Sequence, residues 1–185
     1  MYTCKGRFSI LEELTTKNDN ELFLLMKENA HDYRFLISDE DISTTYRLFQ
    51  ERLYGWFNGG RMYQFLVRKK NGQNAIGTIF FYCHDTLKRE VKLSAFFTPE
   101  VRKTLCVAES LAESILFAKR IIDIEAVCFS VYAENNYMLK IANKLKAALV
   151  STSTSTLNPQ RQILMYRLTP SSLESITDKL QILSR

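Results

Sequence analysis

The sequence is poor in the residues that build flexible, metal-centred or membrane-spanning proteins. Six glycines and three prolines in 185 residues exclude a collagen-like or linker-rich chain. Two histidines, His31 and His84, leave no Ser/His/Asp triad and no imidazole metal cluster to assemble. The four cysteines, Cys4, Cys83, Cys106 and Cys128, are scattered without CxxC or Cys/His spacing, so no metal is expected. Three of them stand inside apolar segments and read as reduced core thiols of a cytoplasmic protein. No apolar run approaches the roughly 18 residues of a membrane span. The N-terminus, with Glu12 and Glu13 early, has no signal-peptide pattern. A soluble protein without a membrane partner is expected.

A strong charge of one sign is missing too. Lys+Arg number 25 and Asp+Glu 20, a net of +5 spread along the chain. The densest basic stretch, Arg68-Lys69-Lys70, runs into Asn71-Gly72 and reads as a solvated hairpin end, so no nucleic-acid partner is expected. What the sequence does have is apolar surface: 46% hydrophobic residues, including 12 Phe, 9 Tyr and one Trp. That excludes disorder and supports one domain over 1–185 with a sizeable core.

Periodicity predicts the elements. Residues 7–14 suit a first strand. Thr15 to Asn20 offer turn and N-cap chemistry before a helical stripe of Leu22, Leu25, Met26 and Asn29. A second helix is expected from Ser38 or Asp39, with Ile42, Tyr46, Phe49, Leu53 and Trp56 on one face and Asn58-Gly59-Gly60 as its stop. Met62–Val67 and Ala75–Cys83 read as strands of a hairpin turning at Lys70–Gln73. Val91, Leu93, Ala95 and Phe97 form the inward face of a third strand. Residues 104–121 form an amphipathic helix on the stripe Val107, Leu111, Ile115 and Ala118. Ile124–Tyr132 suits a strand buried on both faces, and Asn135 caps a helix whose inner face is Met138, Ile141, Ala142 and Leu145. Ala148–Thr156 and Gln162–Leu168 read as a closing strand pair. The Ser/Thr alternation of the first also suits a flexible linker, but β-branching favours an exposed strand. A C-terminal helical extension covers about 170–185.

Two segments carry chemistry. The stretch Phe96-Phe97-Thr98-Pro99-Glu100-Val101-Arg102-Lys103-Thr104-Leu105-Cys106-Val107-Ala108 links a strand to a helix. It resembles the signature of the GNAT superfamily of N-acetyltransferases, in which a strand ends in Pro-x-x-Arg and an Arg-x-x-Gly-x-Gly/Ala loop opens the next helix. Asn135 to Leu145, ending Lys144-Leu145-Lys146-Ala147, is similar to the Asn-led helix that closes in Lys-Leu-Gly-Phe. The order of elements agrees over about 5–168 and the motifs over about 96–147. The resemblance implies an α/β fold, a mixed, mostly antiparallel central sheet flanked by helices.

It also implies an acyl-CoA-dependent N-acyltransferase that moves an acetyl group from acetyl-CoA to a primary amine of a small molecule or protein. A helix N-terminus offers unpaired N–H groups and a positive dipole end to a pyrophosphate. In the family reading Arg102, Lys103, Thr104, Leu105, Cys106, Val107 and Ala108 receive it. Phe96 and Phe97 pair with the pantetheine arm through backbone groups, and Asn135 lies near that arm. Leu105 and Val107 replace the usual glycines, and Lys146-Ala147 replaces Gly-Phe. Ala142 stands where relatives carry a tyrosine that protonates the leaving thiolate, so Tyr137 and Tyr132 are the substitutes named here as catalytic.

These departures keep a second reading open, a catalytically degenerate GNAT-fold domain that binds or regulates. The acceptor wall would draw on Tyr33, Phe35, Tyr46, Tyr54, Trp56 and Phe57, with Asp39, Glu40 and Asp41 attracting a cation or, as favoured, capping the helix. Glu90 and Glu134 lie at the strand edges, and His84-Asp85 reads as a strand-end turn rather than an oriented base. A homodimer is left open.

Overall fold

The computed structural model describes residues 2–30, 45–58, 62–155 and 159–175. Eight strands, β1 (Thr3–Lys5), β2 (Ser9–Glu13), β3 (Met62–Lys69), β4 (Ala75–Asp85), β5 (Glu90–Phe97), β6 (Ala126–Tyr132), β7 (Ala148–Thr154) and β8 (Gln162–Leu168), lie in one sheet in the order β1-β2-β3-β4-β5-β6-β8-β7. Its helices are α1 (Asp19–Glu28), α2 (Tyr46–Asn58), α3 (Leu105–Phe117) and α4 (Asn136–Lys144). A 3-10 turn at Pro99–Val101 precedes α3 and a π-helical turn at Ala118–Ile122 follows it. This is the mixed, mostly antiparallel α/β architecture expected. The predicted starts at Ser38 or Asp39, with Ile42, Tyr33, Phe35, His31, Glu40 and Asp41, lie outside the described residues, as does most of the C-terminal extension. Residues 170–175 of the extension are helical.

The chain divides into two compact units, Met1–Cys83 with Ser94–Ser114, and His84–Leu93 with Ile115–Arg185. In the first, β1-β2, β2-β3 and β3-β4 pair antiparallel. β1 is an element that the composition of residues 1–6 gave no reason to expect. The apolar stripe of α1 delivers Leu22, Leu25 and Met26 to a core with Leu14, Phe49, Leu53, Leu66 and Phe96. Fully buried side chains of leucine or phenylalanine size each contribute about 2 kcal/mol relative to exposure, so this cluster holds α1 and α2 on the sheet. Phe96 and Phe97 are both buried, where strict alternation along β5 predicted only Phe97 inward.

In the second unit β5 and β6 pair in parallel at Glu90↔Ala126, Val91↔Val127 and Lys92↔Cys128. β6 then pairs antiparallel with β8 from Val127↔Leu168 to Tyr132↔Ile163. The favoured reading of the Ser/Thr stretch holds, because Ala148–Thr154 is a strand exposed throughout and paired to β8. Val131, Ala142 and Tyr166 form the buried cluster under α4, with Met138, Leu139 and Ala147 packed against it.

Three expectations need correction. Arg68 is not part of a solvated turn: it lies within β3, ion-paired to Glu12 and Glu21, because a guanidinium fork can satisfy two carboxylates at once. Cys83 is exposed, while Cys106 and Cys128 are buried and all four thiols are free. The most deeply buried side of α3 carries Ser110 and Ser114, not Val107 and Leu111. Each serine is satisfied on its own helix, at the carbonyls of Cys106 (2.7 Å) and Leu111 (2.6 Å), which lets a small polar side chain occupy a close contact.

Candidate functional site

β5 ends at Phe97, and the chain then turns through Pro99–Val101 into α3. Pro99 is pre-organised for that turn by its fixed φ. The strand end sits close against its neighbour, since a Cβ at Gly77 would lie 2.5 Å from the Phe96 carbonyl oxygen. Glycine at 77 is therefore a condition of this approach. The Thr98 N–H donates to the Ile76 carbonyl at 2.9 Å, while its buried hydroxyl makes no hydrogen bond of normal geometry among the described residues.

Arg102, Lys103 and Thr104 are exposed at the entry to α3. Arg102 folds back on the strand: its Nε donates to the Phe97 carbonyl at 2.9 Å and its guanidinium lies 5.9 Å from the centre of the Phe96 ring. Thr104 donates its hydroxyl proton to the Val101 carbonyl at 2.8 Å. Leu105 and Val107 are not among the residues at positive φ, so replacing glycine at these positions strains nothing. Leu105 is 53% exposed. Cys106 is buried, Val107 half-buried and Ala108 exposed. The first turn of α3 thus combines N–H groups that no helical carbonyl can reach with two exposed cations, a pairing suited to an anionic ligand.

In the second unit Asn135 caps α4 as expected, its Oδ1 accepting from the Met138 N–H at 3.1 Å. Tyr137, in the first turn, is 45% exposed. Tyr132 ends β6 with its ring under the Arg161 guanidinium, 3.7 Å from the ring centre, and its hydroxyl 3.4 Å from Ser155 Oγ. Arg161 also pairs with Glu134, and Glu90 pairs with Arg167. Both edge carboxylates are therefore neutralised. Asp85 accepts from the Lys88 N–H and pairs with its side chain, the strand-end turn expected of His84-Asp85. Ala142 is wholly buried, so the position that carries a tyrosine in relatives is packing here.

Two acidic residues escaped the sequence reading. Asp19, 1% exposed at the start of α1, accepts from the hydroxyls of Tyr46 and Tyr54 (both 2.6 Å) and from Gln50 Nε2 (2.9 Å). Burial alone would raise its pKa, but the donors from Gln50, Tyr46 and Tyr54 outweigh it and hold the carboxyl below its usual range. The same bonds, with burial, push the Tyr46 hydroxyl up to about 12. Tyr46 and Tyr54, expected as an acceptor wall, are thus the partners of a buried anion; nothing is described of the side chains of Trp56 and Phe57. Glu109, in the second turn of α3, accepts from three successive backbone amides of the β1–β2 turn. Glu109 gave one local hint, an acid set among apolar or small neighbours, while Asp19 lies in the polar run Lys17–Glu21 and gave none; their partners lie 27 to 102 residues away.

Among the described residues no group of three or more His, Cys, Asp and Glu side chains could hold a metal ion, and no helix is long and apolar enough to cross a membrane. No curated protein matches the sequence. Solved structures do match the fold. Spermidine N-acetyltransferase from Vibrio cholerae, in complex with CoA and spermine, aligns over 90% of this chain and 98% of its own with a TM-score of 0.75 at 11% identity. Ribosomal-protein-S5-alanine acetyltransferase from Vibrio fischeri aligns over 92% and 97% with a TM-score of 0.76 at 10% identity. Apo FdhC, a nucleotide-linked sugar GNAT, aligns over 99% and 97% with a TM-score of 0.75 at 17% identity. At such identities the likeness is one of fold. The sequence itself matches the model of the acetyltransferase (GNAT) domain over residues 10–148, and the chain belongs to that family of acetyltransferases.

Proposed function

We propose that the chain transfers the acetyl group of acetyl-CoA to a primary amine of a small molecule or protein. The observation that carries this reading is the family match over 10–148, which takes in both the loop into α3 and the Asn-led helix α4. Two structural neighbours are named for acetylation of amines, a polyamine and a ribosomal-protein alanine, and one of them holds CoA. The reading takes residues 1–185 as one domain working in the cytoplasm, where free thiols such as the four here persist.

In this reading the first amides of α3, those of residues 105–107, and the cations of Arg102 and Lys103 hold the pyrophosphate. The backbone at Phe96 and Phe97 serves the pantetheine arm, and Asn135 is assigned to the same arm. Acetyl-CoA supplies an activated thioester. The acceptor nitrogen must be neutral when it forms the C–N bond, it gives up one proton to solvent as the C–S bond breaks, and the departing thiolate takes up a proton. Tyr137, half exposed on the first turn of α4, is assigned that proton in preference to Tyr132, whose ring is covered by Arg161. Positioning of the two substrates supplies the rest of the acceleration.

Isothermal titration with acetyl-CoA tests the reading at its first step. Binding with 1:1 stoichiometry is expected, weakened by added salt and by Arg102→Ala/Lys103→Ala. Absence of heat at millimolar ligand would remove the enzymatic reading.

A further inference from the structure

Glu109 holds a buried charge for which the proposed transfer chemistry has no use. Its side chain belongs to a residue only 9% exposed. Oε1 accepts from the Arg7 N–H at 2.7 Å. Oε2 accepts from the Phe8 N–H at 2.9 Å, the Ser9 N–H at 2.8 Å and the Ser9 hydroxyl at 2.7 Å. Successive amides converging on one anion form a nest, and only an ionised carboxylate brings acceptors alone to it. Gly6 completes the fit, because a Cβ there would stand 2.4 Å from the Glu109 carboxyl carbon. Burial opposes ionisation, but the Ser9 hydroxyl and the amides of Phe8, Arg7 and Ser9 outweigh it and keep the carboxyl below its usual range.

The turn that receives Glu109 is itself fixed. The Gly6 N–H donates to the Ser9 carbonyl at 2.8 Å, the Lys70 N–H donates to the Phe8 carbonyl at 2.9 Å, and β2 pairs with β3 from Ser9↔Lys69 onward. One helical turn beyond Glu109, the Cys4 thiol donates to Glu113 at 3.2 Å. Two carboxylates four residues apart therefore tie one side of α3 to the N-terminal hairpin. The helix can neither rotate nor slide without breaking several of these bonds.

We propose that Glu109 is a positioning residue for acetyl-CoA: by locking α3 to the β1–β2 turn, it sets the N-terminal amides of that helix where the pyrophosphate is received. The inference rests on the acetyl-CoA reading above. It assigns Glu109 no contact with either substrate, so its effect must come through cofactor affinity rather than through the chemical step.

Glu109→Gln keeps the size of the side chain but turns an NH2 donor toward a nest of donors. With the wild type as reference, CoA affinity is measured by titration and acetyl-CoA kinetics at saturating amine. Kd and KM should rise about tenfold, the worth of roughly one charge-assisted hydrogen bond, while kcat stays within about twofold. Gly6→Ala crowds the same carboxyl from the turn side and should give the same rise in KM, and the double variant should add little to either. A Glu109→Gln protein that melts earlier yet keeps the wild-type Kd and KM would overturn the inference, leaving Glu109 a stabilising contact alone. Failure of the wild type to bind CoA is a different result and overturns the acetyl-CoA reading instead. Should Glu109→Gln not fold, Ser9→Ala, which removes one of the four donors, decides by the same split with a smaller rise.

Discussion

Lys146 stands at φ 52° at the end of α4, in the place where the family motif has glycine. The Ala147 N–H reaches back to the Ala142 carbonyl at 3.0 Å and the Lys146 N–H to the Asn143 carbonyl at 3.0 Å, the paired closure of a helix that ends in a left-handed residue. Ala147 then packs on the cluster of Val131, Ala142 and Tyr166. A side chain at such φ costs about 1 kcal/mol. Lys146→Gly should therefore raise Tm by about 3 °C, readable by thermal denaturation, with activity unchanged. Asp19 shows the opposite case, a residue whose removal should be felt. Its three side-chain donors bind α1 to α2, so Asp19→Ala should cost about 3 kcal/mol in urea unfolding. Because its folded pKa is depressed, its contribution is fully present above the unfolded value of about 3.9. It is lost as pH falls through the folded value, and Asp19→Asn should flatten that acid limb. None of the three partners of Asp19 was legible locally: Tyr46 and Tyr54 were expected in an acceptor wall, and only the fold brings them and Gln50 to the acid.

Elements were legible where one period ran unbroken for several turns. The stripe of Leu22, Leu25 and Met26, the alternation around the Lys70–Gln73 turn, and the Asn135 cap all appear at the expected places. Where burial follows from neighbours rather than from period, the reading slipped. α3 pairs its polar side, Glu109, Ser110, Glu113 and Ser114, with buried surroundings that its amphipathic pattern assigned to the other face, and a three-residue β1 has no period to read. The same limit applies to the site. The entry to α3 was found from Pro99, Arg102 and Lys103, but the anchor at Glu109 depends on amides about a hundred residues earlier. At α4 the two tyrosines separate by surroundings. Tyr137→Phe should lower kcat about a hundredfold, the usual scale for losing a general acid, with the KM for acetyl-CoA little changed. Tyr132→Phe keeps the ring under Arg161 and should leave kcat near wild type. Equal kcat values for Tyr137→Phe and the wild type would remove Tyr137 as the acid.

At the scale of the molecule, the family match and the fold place the chain among the acetyltransferases, and its departures from the motif fall into two kinds. Leu105 and Val107 keep ordinary backbone angles, so losing those glycines leaves the amides of the loop in place. Ala142 is buried packing and offers no acid, so this is the departure that bears on the proposed catalysis. Acetyl transfer is proposed to survive both. Its most direct measurement is release of free CoA thiol from acetyl-CoA with the wild-type protein, run against a panel of polyamines, small amines and peptides with free N-termini, with the acceptors weighed by mass spectrometry. Thiol release is expected to depend on one class of amine, with an equal yield of that amine carrying one acetyl group. Tight CoA binding with no acetylated product from any amine would contradict it and leave a binding domain in its place.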